Sequence, residues 1–257
     1  MIIFLKHICG VVFSRIVLLN NIIRLMKSKK RIEVYHNKYV GRRCFIVGNG
    51  PSLSVDDLEH INDEISFGTH RIYKIFNKTT WRPTFYCAQD YRLIRNSISD
   101  ISKINVQEKF IGMVPTCRYP CVKDACFAKI TLKDFFPDPP EFSYDVSKEI
   151  FEGMTVTYMC LQFAIYMGFS EIILIGVDHN YTVEMKADGT IITNEGIRDH
   201  FSEDTEGITN IPQLDKTTLA YFTARDYAER KGVSILNATR GGKLEVFTRV
   251  DFESLFT

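Results

Sequence analysis

Short apolar runs and amphipathic stretches alternate along the chain from residue 42 onward, in the rhythm of strands and helices following one another. Arg43-Cys44-Phe45-Ile46-Val47 reads as a strand that stops at the turn cluster Gly48-Asn49-Gly50-Pro51-Ser52. Ser54 ahead of Val55-Asp56-Asp57-Leu58 reads as a helix N-cap with acidic residues in the first turn. Further strand-like segments fall at Ile65–Phe67, Thr84–Ala88 and Lys109–Val114. Met154–Gly168 is apolar on nearly every side and predicts a buried helix closed by Gly168. The run Glu171–Asp178 then predicts a strand covered on both faces, as in a parallel sheet packed between helices. An amphipathic helix over residues 212–231 and a strand at Val233–Leu236 continue the pattern. Together these predict an α/β fold with a doubly wound, mostly parallel sheet, a Rossmann-like single domain over residues 42–257. Residues 115–150 carry five of the eight prolines with little periodicity, and are expected to form an irregular lid-like region.

The N-terminus departs from this rhythm. Residues 1–26 are strongly apolar and KSKKR follows at once. Lys6, Arg15 and Arg24 break the stretch into runs too short for the roughly 20 apolar residues of a spanning helix, and no small-residue cleavage site follows. Wound as a helix, residues 1–31 place Phe4, Ile8, Val12, Ile16, Leu19, Ile23 and Met26 on one face. Lys6, Ser14, Asn20, Asn21, Arg24 and Lys27 fall on the other, with Arg15 as the exception. Such a helix suits the headgroup region of a membrane, with Lys27, Lys29, Lys30 and Arg31 drawn to anionic lipid; packing on protein or on another copy is the competing use of the same pattern.

Composition narrows the class. Of 257 residues 45% are apolar and 25% charged, which excludes a disordered or collagen-like chain. Lys+Arg 32 against Asp+Glu 31 leaves a net charge of +1, too little for nucleic acid as a bulk electrostatic partner, so any basic function is local. The seven cysteines are scattered, and Cys117, Cys121 and Cys126 lack the paired spacing of a zinc site, so reduced thiols in a cytoplasmic protein are expected.

Ligands of doubly wound sheets bind beyond the carboxyl ends of the strands. Two polar clusters occupy such places, Gly48–Ser52 and Asp178-His179-Asn180. Glycines before a helix N-terminus can bring backbone N–H groups to a phosphate, or can form a tight turn with no ligand. The third glycine of a dinucleotide fingerprint and the Gly-Lys-Ser/Thr of a P-loop are both missing. No Asp-x-Asp motif occurs, so no metal site is expected.

Phe45–Leu53, Gly153–Asp178 and Asn237–Phe247 together resemble bacterial lipooligosaccharide sialyltransferases that use CMP-activated sialic acid. The wider superfamily includes surface-polysaccharide proteins, flagellin-modifying glycosyltransferases and 6-hydroxymethylpterin pyrophosphokinase-like proteins. The resemblance runs over about residues 43–256. It implies donor contacts at Gly48, Asn49, Gly50, Pro51 and Ser52, at Thr155, and at the strand-end Asp178 with His179 and Asn180. His70 stands where those enzymes keep a donor-binding asparagine, and Met154-Thr155-Val156 replaces their Thr-Ser-Gly. It also implies a general base in the acidic stretch Asp199–Asp204, at His200 or nearer Asp204. Arg240 and Lys243 can neutralise a leaving phosphate, or can belong to a hairpin turn ahead of Leu244–Phe247.

The implied activity is metal-independent transfer of a sugar, possibly sialic acid, from a nucleotide sugar to a bacterial surface glycan or glycolipid. A CMP-sugar is favoured as substrate, with no resident cofactor. Such a protein is expected in the cytoplasm, peripheral on the inner face of the membrane through residues 1–31. The alternative is a Mg-ATP-dependent pyrophosphokinase acting on 6-hydroxymethylpterin.

Overall fold

The computed structural model describes residues 2–201 and 211–256, with side chains from residue 12 onward. A long N-terminal helix, α1 (Ile2–Glu33), leads into an alternating body. There β1 (Arg43–Val47), β2 (Ser66–Thr69), β3 (Phe85–Ala88), β4 (Glu108–Met113), β5 (Ala125–Thr131), β6 (Ile150–Phe151) and β7 (Glu171–Ile175) follow in turn. Short helices α2 (Val55–His60), α3 (Tyr91–Asn96) and α4 (Ile98–Lys103) lie among them, and α5 (Val156–Tyr166) precedes β7. A small antiparallel pair, β8 (Val183–Met185) and β9 (Ile191–Thr193), stands apart, and α6 (Leu214–Arg230), β10 (Ser234–Asn237) and β11 (Thr248–Arg249) complete the chain.

The main sheet runs in the order β11-β10-β7-β1-β2-β3-β4-β5-β6, and every pairing in it is parallel. The doubly wound α/β sheet expected from the apolar strand patterns is therefore the one observed. From β1 the chain steps outward to β6, then returns through α5 to add β7 on the opposite side of β1. The order of travel reverses between β1 and β7.

Alternate strand residues feed two cores, which is why these strands are apolar on both faces. Cys44, Ile46, Phe67, Phe85, Phe110, Ile172 and Leu174 face α5, α6 and the end of α1. Phe45, Val47, Tyr86, Ala88, Ile111, Ile173 and Ile175 face α2, α3, α4 and Trp81. Helix α5 is buried at ten of its eleven positions, so its apolar character all round matches its place between sheet and α6. Its one amide, Gln162, is fully paired: Oε1 accepts from Ser143 N–H (3.1 Å) and Phe151 N–H (3.0 Å), and Nε2 donates to the carbonyls of Phe151 and Tyr158. Part of the proline-rich segment is thereby pinned to the core.

Two local expectations are corrected. Within 115–150, residues 125–131 are not irregular but form β5, a buried strand of the main sheet. The prolines of that segment lie on either side of this proline-free alternating run, so the average over the segment conceals it. Nor is Arg240–Lys243 a hairpin turn, because β10 and β11 pair in parallel. The stretch between them is a crossover held by Asn237, whose Nδ2 donates to the Leu244 carbonyl at 2.8 Å.

Helix α1 lies against β5 through its polar side. Asn21 and Ser28 are buried there, and Ser28 Oγ accepts the Phe127 N–H at 2.8 Å. Arg31 pairs with Glu108 and donates to the Ala125 and Asp124 carbonyls.

Candidate active site

A cleft of about 1140 Å³ opens at the carboxyl ends of the strands, centred on the reversal between β1 and β7. Its floor is the meeting of two turns. Gly48 N–H donates to the Ile175 carbonyl and Gly50 N–H to the Gly176 carbonyl, both at 2.8 Å. A Cβ on Gly48 would lie 2.2 Å from the Gly176 oxygen, and one on Gly50 1.8 Å from Asp178 Oδ2. Glycine is required here because the β1 turn presses directly on the β7 turn.

This arrangement revises the chemistry assigned to the glycine turn. The N–H groups of Gly48 and Gly50 are taken by β7 carbonyls, and Leu53 N–H turns back to Gly50 (3.2 Å). Ser52 gives both its hydroxyl (Oγ to Asp178 Oδ2, 2.7 Å) and its backbone N–H to the Asp178 carboxylate. Pro51 has no N–H to offer and faces solvent. Gly48–Ser52 is thus a latch between strand ends rather than a row of free phosphate donors. Asp178 is its counterpart: burial raises its carboxyl above the usual range, and the Ser52 bonds partly offset that.

The cleft walls concentrate strained and buried polar groups. Five non-glycine residues have positive φ among the described residues, and three of them line this cleft: His70 (43°), Met154 (59°) and His179 (51°). Backbone strain of this kind persists where surrounding structure imposes it, and it gathers at functional sites. Three side-chain amide oxygens in the cleft, on Asn49, Gln89 and Asn180, are buried without a hydrogen-bond donor. Asn49 is held in orientation because its Nδ2 donates to Thr69 O and Thr69 Oγ1, both 3.0 Å, so Oδ1 is left facing a donor of some other origin. Acceptors of this kind suit a ligand rich in O–H and N–H groups.

Three histidines occupy the site in neutral form. Burial pushes His70 down to about 4, with Asp90 opposing and His200 and Arg71 reinforcing. Burial alone takes His179 to about 4; its Nε2 meets Thr218 Oγ1 at 2.8 Å and its ring packs edge-on to Tyr221. His200 is lowered by burial first, against the pull of Asp199, and lies at the glycine turn, where Phe201 N–H donates to the Asn49 carbonyl at 3.0 Å. Unprotonated at neutral pH, His200 has the state a proton acceptor needs.

Of the residues singled out from sequence, Gly48, Asn49, Gly50, His70, Thr155, Asp178, His179, Asn180 and His200 meet around this cleft. Asp204 lies outside the described residues. Arg240 and Lys243 do not reach the cleft. Arg240 is held by Asp57 and Glu253 on the far side of α2, and Lys243 contributes a backbone N–H to the Asp178 carbonyl (2.7 Å). Arg71, Arg92 and Arg198 supply the cleft's cations instead, together with Gln89, Asp90, Glu152 and Tyr221, none of which the sequence reading picked out for the phosphate or catalytic roles. Arg71 and Arg92 follow the ends of β2 and β3, so the strand-end rule applied to every strand would have found them. Thr155 caps α5, its Oγ1 accepting from Thr157 N–H, and aims the positive end of that helix into the cleft.

A family model described as 6-hydroxymethylpterin diphosphokinase MptE-like matches residues 17–184. The chain belongs to this MptE-like family. Among solved structures it is similar to the MAf glycosyltransferase of Magnetospirillum magneticum AMB-1, at 15% identity and a TM-score of 0.50. That likeness covers 90% of this chain and 39% of the other, so the chain spans well under half the length of that protein. No curated protein matches the sequence. Both relatives bear the names of transferases, and at that coarse level the chain is assigned as one.

Proposed function

We propose that the cleft binds a nucleotide sugar and transfers its sugar to a hydroxyl of a surface glycan or glycolipid acceptor. The observation that carries this reading is the cleft at the β1/β7 reversal, where neutral His200 meets three arginines and the N-terminus of α5 within one volume of about 1140 Å³. That volume exceeds the roughly 300–1,000 Å³ typical of a single small-molecule pocket, and so accommodates a donor and part of an acceptor together.

In the reaction His200 takes the proton of the acceptor hydroxyl as its oxygen forms the new bond to the anomeric carbon. The bond from that carbon to the donor phosphate breaks, and the electron pair leaves with the nucleotide phosphate. Arg71, Arg92 and Arg198, with the positive end of α5 at Thr155–Thr157, stabilise that growing charge. The orphaned acceptors of Asn49, Gln89 and Asn180 orient hydroxyl or amine groups of the substrates. His70 and His179 serve binding: each is held neutral by burial and a positive φ fixes its backbone. The resemblance to sialyltransferases favours a CMP-activated donor, with no cofactor and no metal required. Asp204 stays a second candidate for the base.

The family description supports one other reading, a pyrophosphokinase acting on 6-hydroxymethylpterin with Mg-ATP. Asp90, Glu152 and Asp178 are the cleft carboxylates it would use. Calorimetric titration with CMP, CDP, UDP, GDP and ATP, each with and without Mg²⁺, separates the two. Binding of a pyrimidine nucleotide without metal is expected. Binding of Mg-ATP alone would overturn the glycosyl-transfer reading. In the transfer assay His200→Ala should lower kcat by about 10²–10⁴-fold while nucleotide affinity stays within a few-fold, and unchanged turnover would remove His200 from the base role.

A further inference from the structure

Helix α1 is mounted with its sides reversed from those of an ordinary surface helix. The face turned to the protein is polar: Asn21 (2% exposed) and Ser28 (4%) are buried in hydrogen bonds to the body. The opposite face is apolar and open, with Val12 50%, Ile16 52%, Leu19 59% and Met26 67% exposed and Ile23 beside them. At 100° per residue Val12, Ile16, Leu19, Ile23 and Met26 fall within about 40° of one line, and Lys30 continues that line beyond them. Nothing in the body covers this stripe, and an apolar patch of this size on a soluble surface marks an interaction site.

We infer that α1 docks the protein on an anionic lipid surface through this outward face. Charge selects the occupant. The helix carries Lys6, Arg15, Arg24, Lys27, Lys29, Lys30 and Arg31 against one acid, Glu33, which pairs with Lys29. A second copy of α1 would bring the same excess of cations to the contact, whereas anionic headgroups neutralise Lys27 and Lys30 beside the apolar stripe. Among the described residues no helix is long and apolar enough to cross a membrane, so α1 lies on the surface.

The polar face gives this docking a consequence for the cleft. Asn21 Nδ2 donates to the carbonyls of Pro115 (2.8 Å) and Cys117 (2.7 Å), and Arg24 to that of Tyr119 (3.2 Å). Cys117 and Tyr119 are also walls of the cleft. One segment therefore serves as the seat of α1 and the rim of the site. With α1 in the headgroups, that rim stands about one helix diameter, roughly 10 Å, above the lipid. Resting on the transferase reading, this makes the acceptor one borne by a lipid in the same surface.

The test is co-sedimentation of the full chain, without substrates, on vesicles of phosphatidylcholine alone and of phosphatidylcholine with phosphatidylglycerol. Binding to the anionic vesicles only is expected. The double variant Lys27→Glu/Lys30→Glu should weaken it by more than about 25-fold, at on the order of fivefold per basic residue. Ile16→Glu/Ile23→Glu, both at exposed positions that leave the core intact, should abolish it. Equal binding by the variants, or no binding to either vesicle, would overturn docking. So would a dimer in solution that the Ile16→Glu/Ile23→Glu variant dissociates, which would make a second copy the occupant. Failure here leaves the nucleotide titration untouched, and failure of that titration leaves vesicle binding untouched, so the two readings fall separately.

Discussion

Replacing Gly50 by alanine tests whether the glycine turn is a latch between strands. The new Cβ would stand 1.8 Å from Asp178 Oδ2, 2.6 Å from its Cγ and 2.8 Å from the Gly176 oxygen. The Asp178 carboxylate must then retreat by more than about 1 Å, and it is not free to do so. Ser52 holds it from one side at 2.7 Å, and its backbone is fixed from another by the Lys243 N–H and by Gly242, whose own added Cβ would meet the Asp178 oxygen at 2.6 Å. Losing a hydrogen bond to a charged group costs about 1.5–3 kcal/mol, and overpacking a tight contact about 1–3 kcal/mol. The substitution should therefore destabilise the fold by about 3–4 kcal/mol. Ser52→Ala, which removes the hydroxyl alone, should cost about 1–2 kcal/mol. Urea unfolding followed by fluorescence reports this directly, because Trp81 is the one tryptophan of the chain and is fully buried. As a reference, Gly189→Ala meets nothing within 4 Å and strains only its backbone (φ 89°), at about 1 kcal/mol. A Gly50→Ala protein within about 0.5 kcal/mol of wild type would refute the latch.

Two further predictions concern stability. His70 and His179 are held at about 4 in the folded protein against about 6.5 when unfolded, so the unfolded chain binds more protons between those values. Their contribution is complete above pH 6.5 and is lost as pH falls toward 4; urea midpoints across this range should fall accordingly, and His179→Gln should flatten the slope, whereas a flat wild-type profile would contradict neutral burial. Arg31→Met strips the partner from the nearly buried Glu108, whose carboxyl burial already raises, and should cost about 2 kcal/mol at neutral pH, discounted because Arg31 itself is half exposed. Adding Glu108→Gln should recover part of that loss, and no recovery would mean that the Arg31 bonds to the Ala125 and Asp124 carbonyls carry the effect.

Much of the architecture was legible from local pattern. The five residues of β1, the all-round apolar α5 and the continuous β7 run announce a parallel sheet between helix layers, because burial on both faces leaves no polar alternation. Gly48–Ser52 and Asp178–Asn180 were legible as a site for the same reason: polar clusters at strand ends stand where such sheets bind ligands. β5 was hidden because a segment average weighs flanking prolines equally with a short apolar run, and only the pairing with β4 gives that run its place.

What the sequence determined by itself, then, is the list of elements, the class of fold and the two turns where chemistry gathers, since each depends on residues close together in the chain. Which N–H groups of the glycine turn are spent on β7, which arginines reach the cleft in place of Arg240 and Lys243, and which side of α1 faces outward were decided by tertiary structure alone. A backbone donor is free or taken according to a carbonyl more than a hundred residues away, and an amphipathic helix has two sides whose roles only its seat can assign.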